Sequence, residues 1–379
     1  MHVFSRNILI QILLLAIIIC GMLLTGCVTG RFTPDGWAGP VISGDSLYIC
    51  SLEGKFLALD LPDRNTLRDF TPGDQKESSS FLGCTGQSTS QTIAYATPII
   101  SGSMFYVGTY SGEVYALDTT NGAKKWDYTT DNNIVGGLAL AGDALIVPSD
   151  DKLYKFDAQN GGILWNEPFD TSGKIWSTPV VSGSTVYFGN LDHKLYAVDL
   201  ESGEERWERG FAGAIASTAL IIDDTLYIGT FDKKFYALDT KSGEDKWEKP
   251  FTTEDWFWNK AAFDNGTIYV GTLGGTVYAI NAATGTHKWI YETESRDRFR
   301  SAPVIVGDVL VIGCQDDRVY GLDTETGTQK WAPLNFEDDI LADPWVEGTT
   351  VYFLDQDNKL HAIDAKTGNQ IWAQPLDID

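Results

Sequence analysis

Positive charge is scarce in this sequence. Its 379 residues contain 28 Lys and Arg against 52 Asp and Glu, which gives a formal net charge of −24. Nucleic-acid binding depends on clustered Lys and Arg that neutralise phosphates, so this balance weighs against a nucleic-acid partner. The same shortage weighs against polybasic attachment to anionic lipid.

Residues that commonly carry catalysis are scarce as well. The chain has four His, and His193, His287 and His361 fall at unlike positions with no zinc-ligand spacing. No G-x-S-x-G, P-loop or H-E-x-x-H motif occurs. We therefore expect no catalytic residue and no metal site.

Only five cysteines occur, and two of them lie near the amino terminus, at Cys20 and Cys27. Cys50, Cys84 and Cys314 remain, an odd number that leaves at least one thiol unpaired within the chain. Two alternatives stay open for them. Cys50 and Cys84 form a disulfide in an oxidising compartment, or all three are buried thiols.

Long apolar runs are absent except at the amino terminus. The stretch from Ile8 to Leu24 is almost wholly apolar, Arg6 precedes it, and no acidic residue occurs before Asp35. This pattern is typical of a secretory signal. An uncleaved membrane anchor is the alternative, because the stretch is just long enough to cross a bilayer. Both interpretations place residues 28–379 outside the cytoplasm.

The apolar run ends in Leu24-Thr25-Gly26-Cys27. This resembles the lipobox of bacterial lipoproteins, which implies that residues 1–26 are removed and that Cys27 is acylated. Residues 27–36 then form a lipid-anchored linker before a folded body at 37–379. The resemblance implies attachment to the periplasmic side of an outer membrane, or to the cell surface in a host without one.

The rest of the chain consists of eight copies of one repeat unit. Seven segments align without gaps, each with an acidic or amide residue, Gly four positions later and Trp eight positions later. The first residues of the pattern are Asp118, Asp157, Asp199, Asp239, Asn281, Asp323 and Asp364. An eighth copy around Asp60 has Arg64 and Arg68 where Gly and Trp stand elsewhere.

A second landmark lies 20 residues before each of these positions. The residues are Pro40, Pro98, Gly137, Pro179, Ala219, Ala261, Pro303 and Pro344. Short apolar runs joined by turn residues lie between the two landmarks, so each unit predicts four strands, A to D, with D around the Trp. About 40 residues and four antiparallel strands per repeat predict an all-β fold, an eight-bladed β-propeller of four-stranded antiparallel blades. We expect a monomer without strand exchange between its ends, and an insertion at 61–94 after blade 1.

The repeated Trp has a structural interpretation. Seven large indoles at one repeat position are too regular to form one site, so we expect them to pack between blades. They are Trp126, Trp165, Trp207, Trp247, Trp289, Trp331 and Trp372.

The pattern Y-A-[LV]-D-x-x-x-G-x-x-x-W resembles the tryptophan-docking repeat of quinoprotein-type (PQQ-like) propellers, and it covers nearly the whole chain after Phe32. Together with the lipobox and the chain length, it is similar to the propeller lipoproteins of the outer-membrane β-barrel assembly machinery. That resemblance implies a non-enzymatic scaffold that docks on a membrane or envelope protein, in particular a barrel-assembly subunit.

Quinone dehydrogenases share the repeat but carry an adjacent Cys-Cys pair and a calcium site. This chain has no adjacent cysteines, and no calcium ligand set can be placed on it, so we expect neither PQQ nor calcium. A small-ligand or quinone-binding sensor and a degenerate quinoprotein dehydrogenase remain alternative functions.

A candidate binding surface lies three residues before each strand-A landmark. Strand A is innermost in a propeller, so these residues rim the central channel, and neighbouring Phe257, Phe299, Arg296 and Arg298 add to the rim. The rim positions are Trp37, Tyr95, Ile134, Trp176, Ala216, Trp258, Arg300 and Leu341. Aromatic residues and Arg dominate binding hot spots. The alternative is that the aromatic residues only plug the channel.

Acidic clusters fall in the B–C turns at Asp150-Asp151, Asp316-Asp317 and Asp355–Asn358. Asp and Asn favour turns for local reasons, so we expect solvated turns there and not metal ligands.

Overall fold

The computed structural model describes residues 38–51, 54–61, 66–71 and 93–378. Within them, 32 strands form eight four-stranded antiparallel sheets, each built from four consecutive strands. The prediction of an all-β, eight-bladed propeller is confirmed. The signal and linker, Trp37, Cys84 and most of the predicted insertion lie outside the described residues. Among those that are described, no helix is long and apolar enough to cross a membrane.

The first four blades run from β1 to β16. Blade 1 has β1 (Val41–Ser43), β2 (Ser46–Cys50), β3 (Phe56–Asp60) and β4 (Thr66–Asp69); blade 2 has β5 (Ile99–Ser101), β6 (Met104–Gly108), β7 (Glu113–Asp118) and β8 (Lys124–Thr129). Blade 3 has β9 (Ala139–Ala141), β10 (Ala144–Ser149), β11 (Lys152–Asp157) and β12 (Phe169–Asp170); blade 4 has β13 (Val180–Ser182), β14 (Thr185–Gly189), β15 (Lys194–Asp199) and β16 (Glu205–Gly210).

The last four blades run from β17 to β32. Blade 5 has β17 (Leu220–Ile222), β18 (Thr225–Gly229), β19 (Lys234–Asp239) and β20 (Phe251–Thr252); blade 6 has β21 (Ala262–Asp264), β22 (Thr267–Gly271), β23 (Thr276–Asn281) and β24 (His287–Glu292). Blade 7 has β25 (Val304–Val306), β26 (Val309–Gly313), β27 (Arg318–Asp323) and β28 (Leu334–Asn335); blade 8 has β29 (Trp345–Glu347), β30 (Thr350–Leu354), β31 (Lys359–Asp364) and β32 (Leu376–Asp377).

The ring closes without strand exchange, as the sequence predicts. Blade 1 is made of β1 to β4 and blade 8 of β29 to β32, so neither borrows a strand from the other. Closure depends on packing: Leu47 and Ile49 of blade 1 share a buried cluster with Leu354 and Leu360 of blade 8, and Trp372 packs against that cluster.

The C–D turn of each regular blade is held by its acidic or amide residue. In blade 4, Asp199 Oδ1 accepts backbone N–H bonds from Glu201 at 2.9 Å and Ser202 at 2.8 Å. Gly203 follows with φ of 76°, a left-handed conformation that Gly adopts without steric cost.

The Trp residues dock on the next blade. Trp247 of blade 5 lies against Gly285 of blade 6, where an added Cβ would sit 2.7 Å from the indole. Its Nε1 donates to the carbonyl of Ala282 at 2.9 Å, and the Tyr227 hydroxyl donates to the same carbonyl at 3.0 Å. Six Trp residues make the same inter-blade bond at 2.8–3.1 Å: Trp126, Trp165, Trp207, Trp247, Trp289 and Trp331.

Blade 1 docks with a different residue. Strand β4 and Phe70 fall inside the predicted insertion, and Phe70 takes the place of the missing Trp. It lies against Gly122 of blade 2 and stacks on Tyr48 with ring centroids 5.9 Å apart. Phe70 follows Asp60 by ten positions instead of eight, so it does not align with the repeated Trp.

Strand D differs from the prediction in four blades. In blades 3, 5, 7 and 8 the Trp precedes a two-residue D strand, which begins directly after Pro168, Pro250, Pro333 and Pro375. Pro has no backbone N–H, so it interrupts the ladder at the outer edge of these blades.

Blade 3 is one residue shorter than the others in its B–C hairpin. Ala144 pairs with Asp157 there, whereas Thr185 pairs with Asp199 in blade 4. The landmark offset is therefore 19 residues in blade 3, and the prediction of 20 is wrong for that blade. Leu138 precedes its strand A, and Val135 takes the rim position predicted for Ile134.

Cys50 and Cys314 are buried free thiols, which agrees with the thiol alternative for these two residues. Burial raises the pKa of both thiols well above the usual range.

Candidate functional site

Six of the predicted rim residues surround the mouth of the central channel, and Val135 takes the place of Ile134 there. The channel forms a cavity of about 300 Å³. Its mouth is lined by Tyr95, Val135, Trp176, Ala216, Trp258, Arg300 and Leu341. Each lies in the connection that leads from strand D of one blade into strand A of the next.

Two indoles meet at this mouth. Trp176 of blade 4 and Trp258 of blade 6 contact edge to face, with ring centroids 6.1 Å apart. Blade 5 contributes only Ala216 between them, which leaves room for the two rings. The Arg300 guanidinium lies 4.2 Å from the centre of the Trp258 ring, a cation–π contact. Burial lowers the pKa of Arg300, and the positive charge of Arg298 lowers it further.

A polar collar lies deeper in the channel and is formed by residues two positions closer to strand A than the rim residues. In blades 1, 3, 4 and 7, the backbone N–H of the residue directly before strand A's landmark donates to the side-chain oxygen at the same position of the following blade. Gly39 donates to Thr97 at 3.0 Å, and Gly137 donates to Thr178 at 3.1 Å. Ala302 donates to Asp343 Oδ1 at 2.7 Å. The collar ties neighbouring blades together around the axis, and sequence reasoning missed it.

Asp343 and Lys260 also line the cavity, and both are accessible from it. Because protein crowds the Asp343 carboxylate on most sides, burial raises its pKa, and the nearby Lys260 charge opposes that shift. The inner channel is therefore polar, whereas its mouth is aromatic.

The outer rim differs in part from the prediction. Arg296 and Arg298 are exposed, and Arg296 pairs with Glu292 at 2.9 Å. Phe257 and Phe299, expected as rim neighbours, are instead fully buried core residues. They pack against Gly229 and Gly271, where the missing side chains leave space for their rings.

Trp256 is the rim residue that the sequence analysis missed. Its exposed fraction is 47%. The alternation of side chains along an extended segment could have predicted this position. Residues two apart share a face, so Trp256 lies on the same face as Trp258, and Phe257 points inward.

The acidic B–C turns are only partly solvated, so the prediction of solvated turns is wrong for three of their residues: Asp355, Asp316 and Asn358, which is 5% exposed. Asp355 is 1% exposed, because Oδ1 accepts the N–H groups of Asp357 and Lys359 and Oδ2 lies 2.8 Å from His361 Nε2. The Asp316 side chain is 5% exposed and accepts hydrogen bonds from Tyr320 and Ser295.

Three carboxylates gather near the edge of blade 7. Oxygens of Asp317, Asp338 and Asp339 lie within 4.8 Å of one another. Burial and the charges of the two neighbours raise the pKa of Asp317. Asp339 also accepts a hydrogen bond from the Gln315 amide at 2.9 Å. This cluster forms the acidic end of the rim, and the absence of a metal site stays a prediction.

The expectation of neither PQQ nor calcium stays a prediction, and two observations bear on it. Cys50 and Cys314 lie in separate blades, and the chain has no adjacent cysteines. Among the described residues that line the cavity, Asp343 is the one carboxylate, and it already accepts a backbone hydrogen bond.

Together, the closed ring, the docked indoles and the aromatic channel mouth define a tryptophan-docked eight-bladed β-propeller. A family model described as "Outer membrane protein assembly factor BamB" matches residues 85–255 and 252–378. The chain belongs to that family.

Curated relatives that are similar in sequence carry the same description as this family. The chain is 27% identical over 179 residues to the factor of Yersinia pestis, covering 45% of this chain and 42% of the relative. It is 27% identical over 134 residues to that of Vibrio cholerae serotype O1, covering 31% of this chain and 35% of the relative. The matched regions thus span about two fifths of these relatives or less.

Solved structures share the fold. BamB from Moraxella catarrhalis is similar with a TM-score of 0.69 at 20% identity, covering 86% of this chain and 93% of that one. A europium-containing methanol dehydrogenase is similar with a TM-score of 0.67 at 15% identity, covering 87% and 83%. Enzymes and assembly factors are therefore equally compatible with the fold alone.

Proposed function

We propose that this chain is a non-enzymatic, extracytoplasmic scaffold that docks a protein of the cell envelope on the rim of its channel. The observation that carries the proposal is the family membership of a chain whose rim presents aromatic and Arg side chains on a rigid ring. The few residues that dominate binding energy in protein interfaces are enriched in Trp, Tyr and Arg. The partner proposed is a subunit of the outer-membrane barrel-assembly machinery.

The proposal includes the location. Acylation at Cys27 holds the propeller at a membrane, on the periplasmic side of the outer membrane where the host has one. Multiple acyl chains give stable attachment, whereas a single chain gives only marginal binding. The proposed scaffold needs neither PQQ nor calcium, and the lack of adjacent cysteines in the sequence supports this part of the proposal.

A site-specific cross-link tests the docking face. A photo-reactive amino acid replaces Arg296, whose side chain is 72% exposed on the rim. The matched control carries it at Ser103, which is exposed in the A–B turn of blade 2 on the opposite face. We expect an adduct with a barrel-assembly subunit from position 296 only. Equal adducts from both positions, or none from either, would contradict the proposal.

A second candidate function is small-molecule binding in the channel. The cavity of about 300 Å³ below the two indoles, with its polar lining, favours it. A thermal-shift screen of quinones and small polar metabolites tests it. Stabilisation that is lost in Lys260→Ala would support this function, and the absence of any stabilising compound would count against it.

A further inference from the structure

A groove runs along the rim across blades 5 to 8, beside the channel mouth. It consists of two cavities of about 660 and 540 Å³, which share Asp255, Leu273 and Arg298. These volumes fall in the range of ligand-binding pockets. We call this feature the rim groove. Its other lining residues are Lys233, Trp256, Trp258, Gly274, Arg296, Asp297, Arg300, Gln315 and Asp339.

The aromatic wall of the rim groove is held in place before any partner arrives. Trp256 stacks on Phe231 with ring centroids 5.3 Å apart at 15°, and Phe231 stacks on Trp258 at 5.9 Å and 22°. The Trp256 carbonyl accepts the Leu273 N–H at 2.9 Å, which fixes the backbone. An exposed ring that is already ordered loses little conformational entropy on binding.

The side chains around this aromatic wall are mostly positive, whereas the net charge of the protein is negative. Lys233, Arg298 and Arg300 line the cavity around Trp256, with Asp255 as its one carboxylate among the described lining residues. The whole chain carries −24. Within the described part of the chain, Arg298 makes no ion pair within 4 Å. An incoming carboxylate would therefore meet a positive site with a guanidinium available.

We propose that the rim groove binds a segment of a partner protein in which acidic residues flank an aromatic residue. The aromatic ring would pack on Trp256 and Leu273, and the carboxylates would pair with Arg298 and Lys233. A small anion would leave the aromatic wall uncovered, and an apolar segment would leave the guanidinium unpaired. The inference rests on the proposed function, because it names the chemistry of the partner that this face docks.

Fluorescence anisotropy with three labelled peptides tests the inference on the full-length protein in detergent. One peptide carries Phe between two aspartates, the second Phe between two lysines, and the third Ala between two aspartates. We expect the Kd of the aspartate–phenylalanine peptide to be lower than that of either other peptide by a factor of about ten or more. Its binding should weaken as salt rises, because charged contacts contribute to it.

Variants locate the binding. Trp256→Ala and Arg298→Glu change exposed side chains and should each weaken the aspartate–phenylalanine peptide about tenfold or more. Ile290→Ala is the matched control, because Ile290 is 46% exposed on the outer strand of blade 6, and it should leave binding unchanged. Equal binding of all three peptides, or binding unaffected by both groove variants, would overturn the proposal.

The two proposals fail separately. An adduct from position 296 that persists in Trp256→Ala and Arg298→Glu, without peptide binding, overturns the rim groove and leaves the scaffold function standing. Selective peptide binding without any partner adduct supports the rim groove and counts against the proposed barrel-assembly partner.

Discussion

The contribution of Trp247 docking to stability can be tested by adding one methyl group at the glycine against which the indole packs. Gly285 and Gly266 lie in two turns of blade 6 with nearly identical φ of 71° and 70°. A Cβ on Gly285 would sit 2.7 Å from the Trp247 ring, whereas a Cβ on Gly266 would meet nothing within 4 Å. Gly285→Ala and Gly266→Ala therefore carry the same backbone strain and differ only in crowding against the indole.

The magnitudes follow from that difference. A left-handed conformation costs Ala about 1–2 kcal/mol at either position. Overpacking against a buried ring adds about 1–3 kcal/mol at Gly285 alone. We expect the free energy of unfolding to fall more in Gly285→Ala than in Gly266→Ala, by about 1–3 kcal/mol.

Urea unfolding followed by Trp fluorescence compares the two variants, and hydrogen exchange of β19 and β23 shows whether the loss is concentrated at the seam between blades 5 and 6. Equal destabilisation of both variants, or protection at this seam that is unchanged in Gly285→Ala, would refute the docking argument.

Three further predictions concern other parts of the chain. Phe70→Ala removes the ring that docks on Gly122 and should cost about 3–5 kcal/mol, seen as faster hydrogen exchange in blade 1; an unchanged exchange rate would contradict this role. The contact with Arg206 lowers the pKa of Asp199, so its stabilisation is present above the unfolded-state pKa of about 3.9 and is lost as pH falls below it. Asp199→Asn keeps the turn and should therefore be less stable than wild type at pH 7, with the gap closing towards pH 2; a gap that is independent of pH would contradict this. Cys27→Ala should leave the protein unprocessed or released from the membrane fraction, and a processed, membrane-bound variant would show that the lipobox interpretation is wrong.

The repeat pattern was enough to predict the blades because its spacing is set by strand and turn geometry. Asp, Gly and Trp recur at fixed positions, since each turn needs a capping side chain, a left-handed residue and a docked ring. Asn281 shows that the capping role tolerates exchange, because its Oδ1 accepts the same two backbone bonds at 3.0 and 3.1 Å.

The site was less predictable because it depends on register and on side-chain direction. A single residue missing from one hairpin moved the rim position of blade 3 from Ile134 to Val135, and an alignment without gaps hides such a change. Phe70 escaped detection for the same reason, since it is displaced by two positions. The collar around Thr178 could be recognised only once neighbouring blades were placed side by side.

The most direct test of the central claim is chemical cross-linking and capture from native membranes, followed by mass spectrometry. Wild type is compared with Trp176→Ala/Trp258→Ala/Arg300→Ala, and with Arg296→Ala/Arg298→Ala, whose exposed side chains leave the channel mouth intact. We expect a barrel-assembly membrane protein to be captured by wild type and reduced about tenfold or more in both variants, with urea midpoints confirming that each variant is folded. Capture that is equal in all three folded proteins, or no envelope partner for wild type, would contradict the claim that the rim docks a protein.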